Sequence, residues 1–223
     1  SIAYFKLLLV RKRGPPHLNM NYTDILQDII NKHLLNQKNG NRYFCERQIQ
    51  FKLGLEIFKK INIEPQFERL MRGGRGISET LNAKRDYLDL FIEEGQYKTG
   101  IELKYKTTNK GKAEVIYEHH GAQSNGRAQC LFDISRLERF IDCNEITNGY
   151  FIFITNDKTY WSKYRNPTFS LSNEKNKTGV FKADWDSCPD YCNDFILRGK
   201  YDIEWIVNGS FGALLIPVVK QWT

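Results

Sequence analysis

Apolar positions along the chain alternate between two periods, and the switches mark out the elements. From Asn21 to Asn36, Ile25, Leu26, Ile29, Ile30 and Leu34 recur at helical spacing, with Thr23 placed to cap, which predicts a first helix. After a turn at Gln37–Asn41, Ile49, Leu53, Ile57 and Ile61 predict a second helix over Glu46–Ile61. Pro65 ends helical territory, and Gln66–Met71 reads as a short strand. Period two takes over at Arg85–Glu93, with Leu88, Leu90 and Ile92 on one face and Asp89 and Phe91 on the other. A turn at Gly95-Gln96 leads into YKTGIELKYKT, residues 97–107, where Ile101, Leu103 and Tyr105 share one face and Glu102, Lys104 and Lys106 the other. Cys130, Leu131, Ile134, Leu137, Phe140 and Ile141 then predict a helix from about Arg127 to Asp142. Tyr150–Thr155 is a continuous apolar run, as expected of a strand buried on both faces. Residues 157–195 show no period, and Tyr201–Val207 with Phe211–Val219 read as a closing strand pair around Asn208-Gly209. Helices, hairpin, helix, buried strand and strand pair, in that order, predict an α/β domain with a mixed sheet.

Composition narrows the class of protein. The 223 residues are 41% hydrophobic and 26% charged, which is globular and sufficient for one domain. The net charge of +7 and an isoelectric point near 9.1 favour a polyanionic partner such as DNA, although a solvated basic surface gives the same balance. Five cysteines at irregular spacing argue against a secreted disulfide framework and for reduced thiols in a cytoplasmic protein. The apolar run Ile2–Val10 precedes its basic cluster, the reverse of a signal peptide, and is too short to span a bilayer, so no membrane association is expected. Residues 1–19 are expected to be an extension, an addition to the native chain, that is either unstructured or packed as an extra strand, with a single domain over 20–223.

The chemistry concentrates in the hairpin. Asp89 and Glu102 lie on its consecutive strands, and two neighbouring carboxylates need a divalent cation, a shared proton or a lysine to offset their repulsion. Asp89, Glu102 and the Leu103 carbonyl offer the hard oxygens that Mg2+ takes, and Lys104 shares the face of Glu102. Asp89 followed by Glu102-Leu103-Lys104 resembles the motif of the PD-(D/E)xK nuclease superfamily, which includes many restriction endonucleases and repair nucleases. The resemblance spans about residues 46–155, and Leu88 stands where the pattern often has proline. It implies a restriction-endonuclease-like mixed β-sheet flanked by helices, and hydrolysis of DNA phosphodiester bonds with Mg2+, for which Mn2+ substitutes. It implies that Asp89 and Glu102 bind metal and that Lys104 is catalytic. Glu46, ahead of Glu56, would match the acidic residue of the preceding helix and serve catalysis as an outer or second metal contact, and Gln123 or Gln129 would match a polar position on the following one.

Other clusters carry weaker expectations. Arg72, Arg75, Lys84 and Arg85 form a glycine-flanked basic segment which, with Lys106 and Gln123, supplies candidate DNA contacts; a solvated loop is the competing reading. Asp86 rivals Asp89, but its parity places it with Leu88 and Leu90. His119 and His120 are adjacent on an extended segment and point apart, which disfavours a metal site. Asp133, Arg136, Glu138 and Arg139 are expected on the solvent face of their helix. Tyr160-Trp161-Ser162-Lys163-Tyr164-Arg165 mixes rings with cations, and packing against the sheet edge is expected to prevail over stacking on bases. Cutting both strands of a duplex uses two sites, so a homodimer is among the expected assemblies. A non-catalytic nucleic-acid-binding domain is the alternative, in which the carboxylates only pair with lysines.

Overall fold

The apolar run at residues 150–155 lies at the centre of the molecule, and the rest of the sheet is built outward from it. The computed structural model describes residues 22–36, 45–71, 87–108 and 123–222. The expectations for residues 1–19, for Arg72, Arg75, Lys84, Arg85 and Asp86, and for His119 and His120 fall outside those residues. The helices are α1 (Tyr22–Ile29, continued as a π-helical turn over Ile30–Leu34), α2 (Glu46–Ile61) and α3 (Gln123–Asp142). The strands are β1 (Gln66–Leu70), β2 (Tyr87–Glu94), β3 (Tyr97–Lys106), β4 (Asn148–Thr155), β5 (Glu174–Lys182), β6 (Asp194–Ile203), β7 (Trp205–Asn208) and β8 (Phe211–Val218).

The main sheet has six strands in the order β1-β2-β3-β4-β8-β7, and β5-β6 form a separate two-stranded sheet. β3 and β4 run parallel, with Glu102 level with Phe151 and Lys104 with Phe153, while the other pairs are antiparallel. The chain is therefore an α/β protein with a mixed sheet and flanking helices. None of the described helices is long and apolar enough to cross a membrane. The two faces of the sheet carry separate cores. Ile101, Leu103, Tyr105 and Ile152 pack with α1 and α2; Phe151 and Phe153 pack with α3. α2 ends at Asn62, which adopts a left-handed φ of 54° and returns its amide to Phe58 O at 2.8 Å.

Several expectations are corrected. Thr23 lies inside α1, where its hydroxyl donates to the Tyr150 hydroxyl at 3.4 Å, so it does not cap the helix through that contact. The alternation of β2 breaks at its start: Leu88 packs with Phe91 on the α3 side, while Leu90 and Ile92 face α1 and α2. Residues 157–195 contain β5 and the first residues of β6, and Tyr201–Ile203 belongs to β6 rather than to the closing hairpin.

The largest correction concerns α3, which has no broad solvent face. It packs on β4 on one side and β6 on the other, and Asp133 and Glu138 are buried. The helix is sandwiched because the second sheet covers the flank that a lone amphipathic helix would leave to water. Glu138 explains how a carboxylate tolerates that position. It accepts from the amides of Arg198 (3.0 Å) and Gly199 (2.7 Å) and from the Tyr201 hydroxyl (2.7 Å), which fixes β6 to the helix. Glu138→Ala leaves these buried donors without an acceptor. It should destabilise the protein by about 3 kcal/mol, read as a lower urea midpoint at unchanged m-value; an unchanged midpoint would show that the anchor contributes nothing net.

Candidate active site

The site arises where β2 and β3 part. Their ladder pairs Glu94 with Tyr97 at the turn and runs to Leu90 opposite Ile101. Continued by one step it would set Asp89 opposite Glu102, but there the strands separate. The amides of Leu103 and Tyr105 on the freed edge of β3 then need acceptors. Asp89 Oδ2 accepts from Leu103 N at 2.6 Å, and Glu46 Oε2, from the first turn of α2, accepts from Tyr105 N at 2.7 Å. One helical turn on, Gln50 Nε2 donates to the Asp89 carbonyl at 2.7 Å and to Glu68 Oε1 at 3.0 Å. Glu68 itself has a left-handed φ of 51°, which interrupts β1 beside Asp89. Two carboxylates and an amide thus wedge the fork open and satisfy its backbone.

Glu102 and Lys104 leave β3 toward α3, as the alternation requires, and meet charged partners there. Lys104 Nζ pairs with Asp133 Oδ2 at 2.9 Å. Arg136 contacts Glu102 Oε1 and Asp133 Oδ1, both at 3.3 Å, and donates to the Tyr87 carbonyl at 2.8 Å. Lys104 and Lys106 are partly buried, while Glu102 on the same face is 3% exposed. Its Oε1 lies in ion contact with Arg136 but makes no hydrogen bond among the described residues.

Acid outnumbers base in this space: Asp89, Glu102, Glu46 and Asp133 surround the cations of Lys104 and Arg136. Burial pushes the Asp89 carboxyl up to about 7; the Leu103 amide opposes the shift, and Glu46 and Asp133 reinforce it. Burial likewise holds Glu102 well above the usual carboxylate range against the pull of Arg136, and it raises Glu46 against the pull of Lys104. For Lys104, burial works against the ammonium, but Asp133 and Glu46 more than offset it, so the side chain stays charged. Burial pushes the neighbouring Cys130 thiol up to about 12, which leaves it unreactive as a nucleophile.

Of the residues expected from the sequence, Asp89, Glu102, Leu103, Lys104 and Glu46 gather at the fork. Glu46 uses Oε2 on the Tyr105 amide, and no three acidic, histidine or cysteine side chains among the described residues are grouped to hold one ion. Glu56 is elsewhere, paired with Lys52 and Lys59 on α2. Lys106 is partly exposed on the same strand. Gln123 starts α3, the helix that follows β3, and donates to Asp157 Oδ2 at 3.1 Å. Gln50, Asp133 and Arg136 were missed. The Asp133–Arg136 spacing is visible in the sequence, but its partners Lys104 and Glu102 on β3 are tertiary contacts that no period announces.

No protein-family model and no curated protein matches the chain. A solved structure titled "Crystal structure of SSO0001" is similar to it at 16% identity, covering 61% of this chain and 73% of that chain with a TM-score of 0.23, a likeness that carries no argument.

Asp89 gives the site a pH signature. Its pKa of about 7 lies above the ordinary 3.8, so the folded state keeps a proton that the unfolded chain releases between those values. Stability contributed by that proton is present at low pH and is lost as the pH rises from about 4 to 7. Asp89→Asn retains an oxygen for the Leu103 amide and removes the titration. Its stability relative to the parent should therefore climb across that window in urea titrations at stepped pH; a flat difference would contradict the assignment.

Proposed function

We propose that the chain is a metal-dependent nuclease of the PD-(D/E)xK, restriction-endonuclease-like type that hydrolyses DNA phosphodiester bonds. The observation that carries the reading is the fork, where Asp89 and Glu102 from diverging strands meet with Lys104 two residues on.

The donor set suits a hard divalent cation. Mg2+ binds through one or two carboxylates and keeps several waters, so three clustered acids are not required. Glu102 Oε1, held by no hydrogen bond among the described residues and only by its 3.3 Å ion contact with Arg136, the surplus of carboxylates and the raised Asp89 pKa all describe a pocket short of positive charge. The backbone N–H and C=O of an extended residue leave the same strand edge, so the Leu103 carbonyl faces the fork with its amide. Asp89, Glu102 and the Leu103 carbonyl would hold Mg2+, or Mn2+ in its place, with Glu46 behind them as the brace of β3. Bound there, the ion supplies Lewis acidity toward water and charge neutralisation at phosphate.

The remaining work belongs to the chain. Lys104, kept charged by Asp133, presents an ammonium that orients water and stabilises charge developing on the phosphoryl oxygens as the new P–O bond forms and the old one breaks. Gln50 and Glu46 keep the strands apart so that a phosphate can approach the edge of β3. The buried Arg136–Glu102 and Lys104–Asp133 pairs favour a second reading, a nucleic-acid-binding domain whose carboxylates are permanently engaged by cations.

Magnesium separates the two readings. The nuclease should bind the ion calorimetrically and lose that binding in Glu102→Gln, and the binding domain should not respond. Lys104→Gln, which can still donate to Asp133, should keep the fold and lower plasmid cleavage at least ~100-fold. Full magnesium-dependent cleavage by this variant would remove Lys104 from the mechanism.

A further inference from the structure

The loop that follows β4 offers a second surface unrelated to the fork's own charges. Residues 157–165 are held from below by α3. Asp157 Oδ1 accepts from the Thr159 amide at 3.0 Å, and its Oδ2 accepts from Gln123 at 3.1 Å, so this acid is turned inward and occupied. Ser124 and Tyr164 share a hydrogen bond of 2.6 Å. The guanidinium of Arg127, 1% exposed, lies 4.9 Å from the centre of the Tyr160 ring and 4.0 Å from that of Tyr164, and it donates to the Thr159 carbonyl. Trp161 stacks at a tilt on Trp205, 5.3 Å between ring centres. Every ring of the segment is therefore engaged in packing.

The cations have the opposite fate. Lys158, Lys163 and Arg165 are exposed, and none pairs with an acidic side chain among the described residues. The three charges are carried on one loop that these contacts brace, and together they make a basic ridge. The ridge lies at the end of the sheet where β3 and β4 both finish, with Lys106 level with Thr155 and Thr108 N bonded to Asn156 at 2.8 Å. Lys104 is level with Phe153, five residues before Lys158. At ~3.3 Å per strand residue the ridge begins within about 17 Å of Lys104, or about five base-pair steps of ~3.4 Å.

We infer that Lys158, Lys163 and Arg165 form a clamp for the phosphate backbone of duplex DNA, lying alongside the fork and beginning its grip on the strand within about half a helical turn of the bond that is cut. The inference rests on the nuclease reading for its substrate but not for its geometry. Phosphate contacts of this kind position a duplex without reading its sequence. Each neutralised phosphate releases counterions, so the clamp has a thermodynamic mark: affinity that falls with salt in proportion to the number of contacts.

The test compares the full chain with the triple variant Lys158→Gln, Lys163→Gln, Arg165→Gln. Binding of a fluorescent duplex of about 20 base pairs is measured in EDTA, which suppresses cleavage, between about 50 and 200 mM salt. The expected result is an unchanged melting temperature, binding weakened at least ~10-fold at low salt, and a log–log salt slope shallower by about 2 to 3. An unchanged slope and affinity overturns the clamp, as does a parent that ignores DNA and binds phosphatidylserine vesicles through the same three residues. Failure of the nuclease reading shows differently: the parent would bind with the steeper slope but leave DNA intact in magnesium, and the clamp would stand.

Discussion

The unpaired amides on the edge of β3 are the constraint from which the rest follows. A strand that loses its neighbour exposes donors that must be satisfied, and in the middle of a domain water is a poor source of acceptors. The chain supplies Asp89 and Glu46 at Leu103 and Tyr105, and so converts a backbone requirement into a concentration of acid. Once those carboxylates are fixed, Glu102 and Lys104 cannot lie in a neutral environment. Asp133 and Arg136 on α3 answer that imbalance only in part. The residual excess of negative charge is both a cost to stability and the chemical basis of the proposed cation site.

Much of this was legible in the sequence because it rests on local periods. The span Glu46–Ile61 and the strand from Tyr97 agree with the structure, since apolar spacing and the Gly95-Gln96 turn determine them within a few residues of chain. The shared face of Glu102 and Lys104 follows from strand geometry alone. Glu46 could be nominated only through family resemblance, and its observed contact is the Tyr105 amide, which no periodicity announces.

What escaped the sequence is non-local. Leu88 abandons its alternation because β2 turns away from β3 there, an event decided by side chains from α2 and β1. Asp133 and Glu138 read as solvent-facing because their period fits a surface helix; Asp133 instead meets Lys104 of β3, and β6 arrives far downstream and covers Glu138. The loop after β4 divides its rings from its cations, a distinction invisible in a string that interleaves them.

The double burial of α3 reaches beyond folding. One flank of this helix presents Asp133 and Arg136 to the fork, and the other, five residues after Asp133, fixes β6 through Glu138. A single inserted or deleted residue between positions 133 and 138 would rotate one flank against the other by about 100°. No compensating shift could keep both engagements. The register of α3 between these positions is therefore fixed from both sides, and only the connections at its two ends can change length without breaking one of the two engagements.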